Sequence, residues 1–176
     1  MTKYLLAGGA MLAVVALHGP LARAATESTA EEQAFSKAKV SLSDAIKAAE
    51  QNTRGKVLGI DFDERRQQPA YTVRILHDGK EAIVHVNADS GQVMGQPAEI
   101  AKGKLDSEDK AEVTDLQNAK VTLTDAVRSA ERKTGGKAMD AQLTTRQGKP
   151  VYEVEVAQGG SNMGTVRVDP SSGKAM

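Results

Sequence analysis

The chain contains no cysteine and no tryptophan, and aromatic residues make up only 3% of its 176 residues. Without cysteine there is no disulfide, no thiol nucleophile and no N-terminal cysteine for lipid attachment. With so few aromatic side chains, a core has to be built mainly from Val, Leu, Ile and Ala, which suits small modules better than one large core. The composition, 40% hydrophobic and 26% charged, is otherwise that of a folded globular protein.

The chain also lacks an excess of charge of either sign, since its formal net charge is zero. A nucleic-acid-binding protein of this size normally carries a strongly basic patch or stripe, and none is visible in the sequence. We therefore predict that the protein does not bind nucleic acid.

Long hydrophobic runs are absent except at the N-terminus, where residues 1–24 have the pattern of an export signal. Lys3 precedes an uncharged, mostly apolar run from Leu5 to Leu17, and Ala22-Arg23-Ala24 has the small-x-small pattern that signal peptidase cleaves. The run is shorter than the ~20 residues that a membrane-spanning helix needs. We predict cleavage after Ala24, which gives a periplasmic or secreted protein with no membrane span.

The most informative feature that is present is a long internal repeat. The segment KVSLSDAIKAAE at residues 39–50 returns as KVTLTDAVRSAE at residues 120–131, an offset of 81. The register holds as far as Gly79, after which one inserted residue changes the offset to 82. Solenoid repeats are shorter, at roughly 20–50 residues. The sequence therefore predicts a duplicated small domain, with module 1 at residues 39–95 and module 2 at residues 120–176.

The segments that precede the modules are related to each other as well. Residues 25–38 form a lead-in to module 1, and residues 96–119 form a charged linker whose second half aligns with it, including Phe35 with Leu116. Two interpretations stay open for both segments. Each is either a short charged helix or a solvated linker.

Each module begins with the pattern of a short amphipathic helix. Apolar residues recur at positions i, i+3, i+4 and i+7, and a hydroxyl residue with an aspartate three positions later predicts the N-terminal cap. The cap residues are Ser41 in module 1 and Thr122 in module 2. Gly55 and Gly136 follow the last periodic residues, where helix ends favour glycine.

After the helix, each module alternates apolar and polar residues in the manner of half-buried strands. Asp78-Gly79 is a strong two-residue hairpin signal, and with that turn Val73 lies opposite Val84 on one face. The predicted fold class is α+β. Each module is expected to be a helix packed on a small antiparallel meander, preceded by the lead-in segment.

The order of these motifs resembles the PepSY domain. Both modules contain Leu-x-x-Ala-[Ile/Val], then Gly-Lys, then Pro-x-Tyr-x-Val, a hairpin and a final turn with glycine, at matching spacing. The resemblance implies a helix-on-sheet module of the kind found in propeptides of thermolysin-type metalloproteases and in envelope proteins. It also implies a role in inhibiting or regulating peptidases.

The sequence offers no convincing catalytic or metal-binding set, and we predict a non-enzyme without a cofactor. Beyond the predicted signal, the histidines are His77 and His85, and strand alternation places them on opposite faces of the hairpin. The carboxylates Asp61, Asp63 and Glu64 are more typical of the solvent-facing side of a strand than of a cation site.

The preferred functional hypothesis is a binding module for an envelope peptidase or an extended peptide. The alternative is a sensor for a small ligand or metal. If the helix covers one sheet face, a partner has to use the opposite face or a sheet edge. The candidate face residues are Thr72, Arg74 and His85 in module 1 and Glu153, Glu155 and Arg167 in module 2. An edge is favoured because the modules share their backbone pattern and not these outward residues.

Overall fold

The structure is a computed structural model that describes residues 30–65, 67–100, 107–159 and 162–176. The predicted export signal and residues 25–29 of the lead-in segment lie outside these ranges, and the predictions made for them stay predictions.

Two amphipathic helices open the modules, as the periodicity predicts. After a first helix α1, described over residues 30–37, helix α2 spans Leu42–Asn52 and its equivalent α4 spans Leu123–Thr134. The Ser41 and Thr122 side chains each accept a hydrogen bond from the backbone N–H three residues later. These bonds satisfy donors that have no partner inside the helix. The buried residues of the two helices are Leu42, Ala45, Ile46 and Ala49, and Leu123, Ala126, Val127 and Ala130.

Three antiparallel strands follow α2: β1 (Lys56–Arg65), β2 (Gln68–His77) and β3 (Lys80–Asn87). The register pairs Val73 with Val84, as predicted. The turn between β2 and β3 uses positive φ angles at Asp78 and Gly79, of 48° and 69°, which is the conformation that Asp-Gly hairpins favour.

Module 2 repeats this meander as β5 (Lys137–Arg146), β6 (Lys149–Ala157) and β7 (Met163–Val168). Between the modules lie a short strand, β4 (Ala98–Ile100), and helix α3 (Ser107–Asn118). The helical interpretation of the linker is thus confirmed for its second half, whereas β4 is a strand that the sequence did not indicate.

The two meanders are joined into one seven-stranded antiparallel sheet. Its strand order is β4-β3-β2-β1-β5-β6-β7, and the join consists of Gly59 and Ile60 of β1 paired with Gln142 and Ala141 of β5. The sequence predicted a meander in each module and not their union. Helices α2 and α4 contact each other and cover the same face of the joined sheet, which we call the core face.

The lead-in helices close the ends of the short β1–β5 join. Lys137 at the start of β5 donates to the Ala38 carbonyl at 2.9 Å, and its equivalent Lys56 donates to the Leu116 carbonyl at 3.4 Å. Each module therefore holds the lead-in segment of the other. The arrangement is reciprocal because the modules are duplicated, although the two lysines use different acceptors, since the repeat equivalent of Ala38 is Ala119.

Aromatic side chains are concentrated in the half of the core that is built by module 1 and its lead-in helix. Phe35 of α1 lies edge-on to Phe62, with ring centroids 5.2 Å apart, and Phe62 lies edge-on to Tyr71 at 5.5 Å. The Tyr71 hydroxyl donates to the Val40 carbonyl at 2.8 Å. The second half has Leu116, Leu143 and Tyr152 at the equivalent positions.

The structure corrects the role predicted for two glycines at equivalent positions of the repeat. Gly55 and Gly136 were expected to end the helices, but they lie beyond the caps, which are Thr53 for α2 and Gly135 for α4. A side chain at either glycine would collide with the backbone of the neighbouring strand. Close approach of chain to chain is what requires glycine there.

Candidate functional site

The six predicted face residues lie on the sheet surface opposite α2 and α4, which we call the outer face. Strand alternation puts them there, because their neighbours along each strand are the buried core residues Tyr71, Val73, Tyr152 and Val154. The structure pairs Thr72 with His85 and Glu153 with Arg167. It does not gather all six residues into one site.

In module 1, the outer face is held by an ion-pair network around Arg74. Its guanidinium donates to Glu81 at 2.6 Å and to Glu112 of α3 at 3.2 Å. The Glu81 side chain is only 4% exposed, so this charge depends on its partner. Close by, Thr72 and His85 lie within hydrogen-bond distance of each other at 3.1 Å. Arg74 is therefore committed to contacts inside the protein.

In module 2, the equivalent surface is built around the buried carboxylate of Glu153. Arg146 and Arg167 bind its two oxygens at 2.7 and 3.0 Å. These hydrogen bonds, that of Arg146 first, lower the pKa of Glu153. Glu153 and Arg167 thus neutralise each other, and of the three predicted residues here only Glu155 is an exposed acid.

A polar cleft crosses the outer face where the modules join. Its volume is about 280 Å³, and its lining includes Asp61, Asp140 and Glu155. The Asp140 carboxylate accepts a hydrogen bond from the Phe62 N–H at 2.8 Å, which ties β5 to β1 beyond the two paired residues. Burial, with additional repulsion from Asp61, Glu155 and Glu31, raises the pKa of Asp140 to about 7.

The carboxylates considered for a metal are not arranged for one. Asp61 and Asp63 are exposed, and the Asp63 carboxylate accepts the neighbouring Glu64 N–H at 2.6 Å. Over the described ranges, no group of three or more histidine, aspartate or glutamate side chains is placed to hold a metal ion.

Sequence reasoning missed four residues that bind other parts of the protein at the outer face: Glu81, Glu112, Asp140 and Arg146. Asp140 could have been noticed, because the repeat places it where module 1 has Gly59, and a carboxylate replacing a glycine in a shared frame is a large change. Glu112 gave no such signal. Its contact with Arg74 depends on how α3 lies against the sheet.

The two ends of the sheet differ. At the module 1 end, β4 pairs with the outer edge of β3, where Glu81 lies opposite Ile100 and Ile83 opposite Ala98. At the module 2 end, β7 is the last strand among the described residues.

The segment that follows β3 and the segment that follows β7 make equivalent hydrogen bonds to these two edge strands. Met94 donates its N–H to the His85 carbonyl at 2.7 Å, and Met176 donates to the Arg167 carbonyl at 2.8 Å. The rest of the β3 edge is paired with β4. In the described structure, Met163 to Thr165 of β7 pair with β6 on one side only.

The fold and these surfaces define the class: an α+β protein of two tandem helix-on-sheet modules that share one antiparallel sheet. The family model described as "Peptidase propeptide and YPEB domain", PepSY, matches residues 39–96 and 120–176. The chain belongs to the PepSY family. PepSY domains are generally non-catalytic and are associated with the regulation of peptidases.

Two individual proteins are similar to this chain. The membrane protein YkoI of Bacillus subtilis (strain 168) is 31% identical over 129 residues, covering 73% of this chain and 52% of YkoI, so the chain spans about half the length of that relative. The crystal structure of a "putative lipoprotein" from Clostridium difficile 630 covers 80% of this chain and 92% of its own, with a TM-score of 0.44 and 18% identity.

Within the part of the chain that the structure describes, no helix is long and apolar enough to cross a membrane.

Proposed function

We propose that this protein is an exported, non-catalytic module that binds an extended segment of an envelope peptidase, or a peptide, by adding it as a strand to the outer edge of β7. The observation that supports this is internal. The chain pairs its own segment β4 with the equivalent edge of β3, and this pairing supports the same role for the edge of β7.

The hydrogen-bonding groups of that edge can be assigned from the strand geometry. Arg167 accepts the Met176 N–H on the outer side. Because alternate residues of a strand direct their N–H and C=O to the same side, Thr165 and Met163 also present theirs outward. An added strand gains affinity from these backbone groups with little demand on side-chain identity.

The outer face is the less suitable surface for a partner. Arg74, Glu153 and Arg167 are already paired inside the protein, so a ligand that engaged them has to replace an existing ion pair. Among the six candidate face residues, Glu155 is the exposed charged residue outside these ion pairs, and it provides a control.

The test removes one outward N–H without changing the core. Proline is tolerated in an edge strand where the N–H faces solvent, so Thr165→Pro should keep the fold and lose a hydrogen bond to the added strand. Thr165→Val keeps the N–H and serves as the matched control. The assay is inhibition of a purified thermolysin-type metalloprotease, together with binding to peptidases of the native envelope.

We expect Thr165→Pro to weaken binding by about tenfold, the scale of one hydrogen bond, while Thr165→Val and Glu155→Ala stay near wild type. Equal binding by Thr165→Pro and wild type, with native melting temperatures, would show that the edge is not the site. A loss confined to Glu155→Ala would move the site to the outer face.

A second experiment asks whether the edge accepts a strand at all. Extending the chain past Met176 with the sequence of residues 95–100 supplies an equivalent of β4. Slower hydrogen exchange of the Thr165 N–H in the extended protein is the expected result. Unchanged exchange would contradict the proposal at its first step.

A further inference from the structure

An apolar cavity of about 220 Å³ lies on the other side of the sheet, between α2, the end of α3 and the start of α4. Its walls include Ile46, Leu116, Leu123 and Tyr152, and Glu50 and Lys56 line it as well. It is distinct from the β7 edge and from the outer-face cleft, and it plays no part in the function proposed above.

The repeat shows what this space holds in the other half of the molecule. There the Phe35 ring is 2% exposed, lies edge-on to Phe62 and has the Lys137 ammonium 4.7 Å from its centroid. In the half with the cavity, Leu116 replaces Phe35 and Leu143 replaces Phe62. Two smaller side chains stand where two aromatic rings pack against each other.

The cation that lies over the Phe35 ring has its equivalent at the cavity. Lys56 corresponds to Lys137, lines the cavity and donates to the Leu116 carbonyl at 3.4 Å. An ammonium over an aromatic face is attractive. The cavity therefore has the lysine ammonium but lacks the aromatic ring that this ammonium would contact.

The acid at the cavity also differs from its equivalent. Glu131 in module 2 accepts the Ala138 N–H at 3.0 Å. The Glu50 carboxylate makes no hydrogen bond or ion pair to the described residues, and partial burial raises its pKa. A half-buried carboxylate without a partner favours a cationic ligand group.

We propose that this cavity binds a small aromatic molecule that carries an amino group, with the ring in the place of the Phe35 ring and the amine paired with Glu50. The volume is sufficient, since an apolar cavity of about 150 Å³ takes up benzene.

The experiment titrates 2-phenylethylamine into the full mature chain and follows the methyl resonances of Ile46, Leu116 and Leu123. We expect saturable shifts with a Kd of about 1 mM or tighter, within the limits for so few atoms. Phenylacetate has the same ring with the opposite charge, and butylamine has the amine without the ring. Both should bind at least fivefold more weakly.

Two variants separate the ring site from the amine site. Leu116→Phe supplies the ring that Phe35 supplies in the other half, and it should abolish binding with an unchanged or raised melting temperature. Glu50→Gln should reduce the affinity for 2-phenylethylamine to the affinity of the wild-type protein for benzyl alcohol, which has the ring without the amine.

Several results would overturn the proposal. Shifts that do not saturate show that the cavity takes no such ligand. Undiminished binding by a folded Leu116→Phe protein places the ligand elsewhere. Equal affinity for phenylacetate and 2-phenylethylamine shows that Glu50 does not select an amine.

Discussion

The two modules share a backbone plan and differ in how completely it is filled. Module 1 packs an aromatic cluster against its lead-in helix and has a covered sheet edge. Module 2 and its lead-in helix have leucines at the two phenylalanine positions, and module 2 has an adjoining cavity and an outer edge that no other described strand covers. Duplication supplies one scaffold twice, and substitution at a few positions leaves the second copy less completely filled than the first.

The comparison is tested most strongly at the lead-in helices. Phe35→Ala removes a fully packed ring that touches Phe62, and we expect a loss of about 3–5 kcal/mol in the free energy of unfolding. Leu116→Ala should cost less, about 2 kcal/mol, because Leu116 already adjoins a cavity. Urea denaturation measures both. Equal losses would mean that the two halves of the core are packed equally well.

The ion pairs of the outer face provide the next test. Arg74→Met leaves the buried Glu81 carboxylate without this partner and should cost about 2–3 kcal/mol. Arg167→Met should cost less than about 1 kcal/mol, because Glu153 keeps Arg146. The free energy of unfolding of both variants is compared with that of wild type. A larger loss for Arg167→Met than for Arg74→Met would show that Glu153 depends more on Arg167 than Glu81 depends on Arg74.

The module junction should show a pH dependence that originates in Asp140. Its carboxyl holds a proton up to a pKa of about 7 in the native state and releases it near 3.8 when unfolded. Between these values the native state binds more protons, so this group makes stability fall as pH rises, with no further change above about pH 7.

Asp140→Asn keeps an acceptor for the Phe62 N–H and removes the charge. At pH 8 we expect the variant to be more stable than wild type by roughly 2 kcal/mol, since the cost of a buried charge disappears. The advantage should vanish near pH 4. Melting temperatures across this range provide the measurement, with Asp63→Asn as a control on the exposed surface. A constant difference at all pH values would rule out Asp140 as the titrating group.

The smallest effect is expected at the helix ends. Gly135 caps α4 with a φ of 71°, whereas α2 ends at Thr53 in an extended conformation with a φ of −127°. Gly135→Ala should cost about 1 kcal/mol for the left-handed backbone alone, since no atom lies within 4 Å of the added carbon. Arg54→Ala, at the equivalent position of module 1, should change stability by less than about 0.5 kcal/mol. Thermal denaturation distinguishes the two.

The sequence could predict which residues lie on the outer face, but not whether their side chains are already paired inside the protein. Strand alternation put Thr72, Arg74 and Glu153 on the outer face correctly, because side-chain direction is a local property of a strand. That Arg74 pairs with Glu112 depends on the position of a helix more than 30 residues away in the chain. Whether an outward residue is free or paired is therefore a tertiary property.

The sequence by itself determined the duplication, the helices and their caps, and the hairpin register, because each depends on spacing and turn chemistry within a few residues. Only the tertiary structure decided that β1 and β5 join two meanders into one sheet and that β4 covers one end of it. A strand pattern specifies which side chains are buried, but the backbone groups along its two edges are the same for any sequence. Which edge finds a partner is settled by the packing of the whole chain.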